Sequence, residues 1–201
     1  MKKSIISFII LSLSCSVLMA QFKLTDGSAS VLKNQEKVFV EFTYPDVMVN
    51  NKSEQEYLEK KTNRNDNADE IWHKAKDAYR LAMIETLNKK LDKQGVVFTD
   101  QLDACEYKLV VETSSIVTGI GGKTVPAIVN GEVYIVKISD DQNKLAVYSM
   151  KSLRSDLEET SVSVNGFDVT VFGDTDYFDR LSKCYSIGGK RLGNKLVKEL
   201  K

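Results

Sequence analysis

Residues 175–200 read TDYFDRLSKCYSIGGKRLGNKLVKEL, and whether this stretch is a phosphate loop or a helix decides the fold. The GGK at 188–190 looks at first like the end of a phosphate-binding motif. Yet Phe178, Leu181, Tyr185, Gly188, Leu192 and Leu196 recur at steps of three and four, the single apolar stripe of a helix. Asp174 or Thr175 stands where an N-cap belongs. Asp176 and Asp179 fall in the first turn and lysines gather toward the end, as the helix dipole favours. Gly188 lies on the stripe, with Gly189 and Gly193 beside it. Glycine costs about 1 kcal/mol against alanine in a helix interior, so something must offset three of them. The simplest offset is close approach of the helix backbone to a sheet, which makes this GGK a packing device.

A second GGK sits in GIGGK, residues 119–123. A phosphate loop needs glycines after a strand and before a helix, so that free N–H groups meet the phosphate. Here YKLVVETSSI (107–116) reads as a strand, and TVPAIVNGEVYIV (124–136) reads as another. The Walker spacing is also absent. Gly119, Gly121, Gly122 and Lys123 are read as a hairpin loop and as a candidate contact loop, with no nucleotide expected there.

The other elements follow from periodicity. KVFVEFTY (37–44) alternates as a strand and is stopped by Pro45. Residues 50–69 read as a polar connector, in which Ser53 with Glu56 resembles a capping box and so allows a short helix through Lys61. A long helix is predicted from Ala68 to Lys93, capped by Asn67 and closed by Gly95. Its apolar arc is Ile71, Trp72, Ala75, Ala78, Tyr79, Ala82 and Met83. Further strands are predicted at VVFTD, 125–138 and 145–153, with Gly131 marking a bulge. Asn165-Gly166 sits between two alternating runs, a strong hairpin signal. The expected fold is α+β: a two-layer sandwich, with a mostly antiparallel sheet and two long helices packed on one face.

The first residues, MKKSIISFIILSLSCSVLMAQ, carry Lys2 and Lys3 before an apolar run and the small Ala20 before Gln21. This predicts a signal peptide at 1–20 and an exported, periplasmic or outer-envelope chain. Residues 21–36 are expected to form a flexible arm, and 37–201 a single domain. Cys15 offers a rival start, cleavage and lipidation at that residue, which alone would bring a membrane into play. Of the other cysteines, Cys105 and Cys184 are a candidate disulfide, worth about 3–5 kcal/mol if formed. Their alternative is two small buried apolar residues.

Composition excludes some partners. Lys+Arg and Asp+Glu are both 28, so there is no basic footprint for nucleic acid. His73 is the sole histidine and falls on the polar side of its helix; no GxSxG elbow exists and no zinc spacing is present. Asp174, Asp176 and Asp179 fail the calcium-loop pattern, since Asp179 stands where glycine is required. No catalytic residue, metal or cofactor is assigned. Tyr134, Tyr148 and Phe167 are candidates to line a groove, with core or ordinary surface as the alternative.

The order of KVFVEFTYPD, IWHKAKDAYRLAMIETLNKKL, ACEYKLVVETSSIVTG, GEVYIVKISDDQNKLAVYS and YSIGGKRLGNKLVKEL resembles a group of bacterial envelope domains. These include the amino-terminal domain of TolB and the curli-secretion (CsgG-like) lipoproteins. The resemblance spans most of 37–153 and 175–200, and departs at the 155–173 hairpin. It implies a non-enzymatic role in envelope assembly, with a protein partner. Two other functions stay open: a small-ligand carrier with a pocket between helix and sheet, and a hydrolase with an unrecognised acidic pair.

Overall fold

The computed structural model describes residues 22–62, 66–119, 126–155, 162–164, 167–169 and 177–201. Residues 1–20, with Cys15 and the signal reading, lie outside them, as do Gly121, Gly122, Lys123, Asn165, Gly166, Asp174, Thr175 and Asp176. In chain order the elements are β1 (Phe22–Gly27), β2 (Lys37–Thr43), β3 (Met48–Val49), β4 (Lys52–Ser53), α1 (Glu54–Thr62) and α2 (Ala68–Leu91). There follow β5 (Val97–Thr99), β6 (Tyr107–Val117), β7 (Ile128–Lys137), β8 (Asp140–Arg154), β9 (Val162–Val164), β10 (Phe167–Val169) and α3 (Tyr177–Leu200). The fold is α+β.

Eight strands form one sheet in the order β1-β8-β7-β6-β2-β5, with β3 also paired to β6 and β4 to β3. The β1–β8, β7–β8 and β6–β7 pairs are antiparallel. β2, however, lies parallel to both β5 and β6. The sheet is therefore mixed, where the sequence pattern suggested a mostly antiparallel one. The cause is connectivity: β2 is followed by two helices, and a strand that returns after such a crossover pairs in parallel. Alternation in KVFVEFTY shows which face is apolar, not which neighbour the strand takes.

Residues 21–36, expected as a loose arm, hold an edge strand instead. Phe22 pairs with Met150 and Gly27 with Ala146, with a bulge between Leu24 and Asp26. Only Phe22 in β1 is buried, so no alternation announces it. The segment that follows is anchored by Ala29 and Leu32, both essentially inaccessible. Glu199 of α3 clamps it, accepting from Ala29 N–H at 2.7 Å, Ser28 Oγ at 3.4 Å and Tyr148 O–H at 2.7 Å.

One buried cluster joins Trp72, Tyr79, Met83 and Leu87 of α2 to Leu181, Tyr185, Leu192 and Leu196 of α3. It continues through Val38, Val40, Leu109, Val111, Val133, Ile135 and Tyr148 of the strands. Ile71 and Ala78, assigned to the inward arc of α2, are exposed. The α3 stripe holds, but its glycines do a different job from the one expected. A Cβ at Gly189 would stand 2.3 Å from both Met83 O and Thr86 Oγ1, and one at Gly193 would stand 2.7 Å from Lys90 Cβ. These two glycines seat α3 on α2, and Thr86 Oγ1 donates across that seam to Ser186 O at 2.9 Å. Only Gly188 faces strand side chains, with Leu153 Cδ1 at 2.9 Å from its would-be Cβ.

Local signals mostly hold. Glu56 N–H donates to Ser53 Oγ at 3.2 Å and Ser53 N–H to Glu56 Oε2 at 3.1 Å, a complete capping box. Asn67 makes no side-chain capping bond, and Ile71 N–H reaches only its backbone carbonyl, at 3.1 Å. Gly95 ends the helical run with φ 74°. The register of β7 shifts between Val129 and Gly131, the bulge that Gly131 suggested. β9 and β10 pair antiparallel across residues 165–166. Among the described residues no helix is long and apolar enough to cross a membrane.

Candidate functional site

The candidate contact loop begins where β6 ends, and the structure builds that point from three elements. Asn50 and Asn51 form the two-residue turn between β3 and β4, with φ 51° and 62°. Two successive positive φ values are what a type I′ hairpin demands, and asparagine tolerates them better than other residues with a side chain. The turn is fixed to the strand end. Asn50 N–H donates to Ile116 O at 2.8 Å, Thr118 N–H to Asn50 Oδ1 at 3.0 Å, and Asn50 Nδ2 to Thr118 Oγ1 at 2.9 Å. From α3, Arg180 donates to Thr118 O through Nε at 3.4 Å and Nη2 at 3.3 Å. Gly119 follows with φ 71°, a left-handed conformation that suits glycine. β6 and β7 pair antiparallel on either side of this loop, Val117 opposite Ile128, so the next described element after the glycines is a strand.

Beside Thr118 lies a cavity of about 290 Å3, lined by Asn50, Lys52, Tyr57, Lys60, Lys61 and Thr118. Tyr57 is buried, and the Lys61 ammonium stands 5.5 Å from its ring centroid. A different face of α1 borders an open groove of about 800 Å3, lined by Glu54, Gln55, Leu58, Glu59, Thr62, Asp69 and His73. Glu54 is already committed there: it accepts from the Trp72 indole N–H and pairs with Lys76 at 2.5 Å. Glu59 accepts from Gln55 Nε2 at 3.0 Å. His73 is exposed, as its helix face suggested. Among the described residues no cluster of three or more metal-ligating side chains is present.

The space between helices and sheet, where a carrier would hold its ligand, is filled by rings. Tyr79 stacks on Tyr185 at 5.3 Å, Phe42 packs against Tyr185 at 5.5 Å, and Trp72 lies between Tyr57 at 5.6 Å and Phe178 at 6.3 Å. Tyr185 O–H shares a hydrogen with Thr113 Oγ1 at 2.8 Å. Burial pushes the Tyr185, Tyr148 and Tyr44 phenols above the ordinary tyrosine range, and the bond to Glu199 adds to the rise at Tyr148. In the unfolded chain these tyrosines ionise near pH ~10, while folded they stay neutral. Above that pH the unfolded state holds fewer protons, so their contribution to stability falls as pH rises and is fully present below it. Urea unfolding at about pH 9 and about pH 11 should show the alkaline loss, and Tyr148→Phe should shrink it.

The remaining residues singled out by the sequence separate in space once folded. Tyr148 is fully buried, bonded to Glu199; Tyr134 is half-buried, donating to Glu112 Oε2 at 3.3 Å with Lys144 at 4.0 Å over its ring. They do not share a groove, and the Phe167 side chain lies outside the described residues. Neither Cys105 nor Cys184 is in a disulfide. Cys105 precedes the start of β6, whereas Cys184 Sγ donates to Ala127 O at 3.4 Å, next to the residue paired with the end of β6. The length of an eleven-residue strand, about 30 Å or more, separates them, against a limit of about 7 Å between bridged Cα atoms. The disulfide is thereby excluded in this fold, and Cys184 is the small buried residue of the alternative reading.

Lys52, Lys60 and Lys61 were hidden inside what reads as a polar connector. The one signal that points to them is Asn50-Asn51 between VMV and KS, a two-residue turn with strand-like flanks.

No protein-family model matches the chain, and no curated protein matches its sequence. Among solved structures it is similar to the PelC dodecamer from Paraburkholderia phytofirmans, at 10% identity over 90% of this chain and 98% of that one, with a TM-score of 0.39. A single-substitution variant of that dodecamer gives 11% identity over 89% and 95%, with a TM-score of 0.36. Likenesses this distant establish neither the function nor the assembly of this chain.

Proposed function

We propose that this chain is an exported, envelope-associated α+β domain that binds or scaffolds a protein partner and carries out no catalysis. The two long helices form one layer over one face of the sheet, and the contact surface is the sheet end at Thr118 with the loop that starts at Gly119. One observation carries the reading: among the described residues the helix–sheet interior is filled by Trp72, Tyr79 and Tyr185, where a carrier would need a chamber. Export rests on the basic and apolar start of the sequence, and the resemblance to TolB-type and curli-secretion domains points the same way.

Among the described residues the hydrolase alternative would be placed in the groove bearing Glu54, Glu59 and Asp69. Glu54 already serves Lys76 and Trp72, and Glu59 serves Gln55, so the scaffold reading is preferred. Crosslinking in native cells, followed by identification of the joined protein, tests it. A defined envelope protein is expected. Recovery of cytoplasmic proteins alone would overturn the proposal.

A further inference from the structure

The two ends of the sheet are protected differently. Along the path β1-β8-β7-β6-β2-β5 the terminal strands are β1 and β5, and among the described residues each pairs on one side alone. An edge strand offers a row of N–H and C=O groups to any other strand, and proteins blunt it with charged side chains, proline or a bulge. β1 carries such devices: Lys23, Asp26 and the bulge between Leu24 and Asp26. Beyond its brevity, β5 carries none of them. It reads VFT after a further valine, without charge or proline, and its register with β2 runs unbroken from Lys37–Val97 to Phe39–Thr99. These are strand-forming residues, and the Val97 side chain is exposed. What β5 has instead is Asn88 of α2. Val97 N–H donates to Glu36 O at 2.9 Å, so Val97 and Thr99 turn their backbone groups toward β2, and Phe98 between them turns its own away. Both outward groups of Phe98 meet one side chain. Phe98 N–H donates to Asn88 Oδ1 at 2.8 Å, and Asn88 Nδ2 donates to Phe98 O at 2.8 Å.

We propose that Asn88 closes the β5 edge as the surrogate of a neighbouring strand, and that without its amide this edge pairs with β5 of a second copy of the chain. The inference stands apart from the scaffold reading and does not need it. A side-chain amide presents one acceptor and one donor side by side, as a residue of a next strand would. An antiparallel partner exchanges this same pair of bonds with the residue opposite it. The second copy is the fitting occupant because the edge is self-complementary. In an antiparallel pair centred on Phe98, the two Phe98 residues exchange both bonds, and Val97 of each copy faces Thr99 of the other, with no like charges opposed. Asparagine is a poor helix former, so its place near the end of α2 costs helix propensity, and the two bonds to Phe98 are what it contributes there. Removing it leaves two backbone groups that need new partners.

Sedimentation over a concentration series tests this. Asn88→Ala should self-associate at least about tenfold more tightly than the wild type. Amide hydrogen exchange at Phe98 should be slow in the wild type, fast in the dilute variant and slow again in the concentrated one. Asn88→Ala/Val97→Lys should return to wild-type sedimentation, since Val97 is exposed and a lysine on an edge strand opposes strand addition. Thr86→Ala controls for lowered stability. It loses a hydrogen bond of similar worth at the α2–α3 seam and leaves β5 as it is, so it should sediment as the wild type does. Three results would each overturn the proposal: Asn88→Ala sedimenting like the wild type, a double variant that still associates, or Thr86→Ala associating as strongly as Asn88→Ala.

Discussion

Gly189→Ala is expected to destabilise the fold by about 2–3 kcal/mol, although alanine is the better helix former by about 1 kcal/mol. Its Cβ would stand 2.3 Å from the Met83 carbonyl oxygen, a backbone atom held in α2, and as close to Thr86 Oγ1. Neither can swing away as the end of a long side chain would. α3 must move off α2, which also loosens the Thr86–Ser186 hydrogen bond, worth about 1 kcal/mol. Gly188→Ala is the control. Its Cβ would crowd Leu153 Cδ1, at 2.9 Å, the tip of a side chain that can turn, while the Phe22 ring stands at an ordinary contact distance of 3.8 Å. That variant should fall within about 1 kcal/mol of wild type, since relief and propensity nearly cancel. Urea midpoints of the two variants decide the matter. Equal midpoints would mean that the helices are not seated through Gly189.

Trp72→Ala should cost about 3–5 kcal/mol, the range for removing a fully buried large aromatic. Trp72 is 1% exposed and sits where α1, α2 and the start of α3 meet, between Tyr57 and Phe178. Its indole N–H also holds Glu54, which is in turn paired with Lys76 at 2.5 Å. Trp72→Phe keeps a ring in the gap and loses only the hydrogen bond and some volume, so its loss should be about half as large or less. Denaturant unfolding read by far-UV circular dichroism checks both, since Trp72 is the only tryptophan and its fluorescence disappears with it.

Much of the fold is legible in the sequence because periodicity records burial. The α3 stripe, the Ser53–Glu56 box, the Gly95 stop and the Gly131 bulge each leave a local mark that tertiary structure did not overrule. What periodicity does not record is partnership. Nothing in KVFVEFTY says that both neighbours of β2 run parallel to it. Nothing in FKLTDG, with one buried side chain, separates an edge strand from an arm. Gly189 and Gly193 announce close packing, but the surface they approach lies more than a hundred residues away in sequence.

The candidate site is less legible for the same reason. Thr118 and Asn50 are 68 residues apart, and their mutual hydrogen bonds exist only once β3 has paired with β6. Lys52 and Lys60 read as ordinary solvated charges until the turn folds them around one space. The loop that sequence did single out, from Gly119, begins at that same point.

The central claim is that this domain works outside the cytoplasm as a binding element rather than an enzyme. The intact mass of the chain recovered from fractionated native cells, in the same preparations used for crosslinking, tests it most directly. The expected result is a chain beginning at Gln21, found in the envelope or periplasmic fraction and joined there to an envelope protein. An uncleaved chain beginning at Met1, confined to the cytoplasmic fraction, would contradict it.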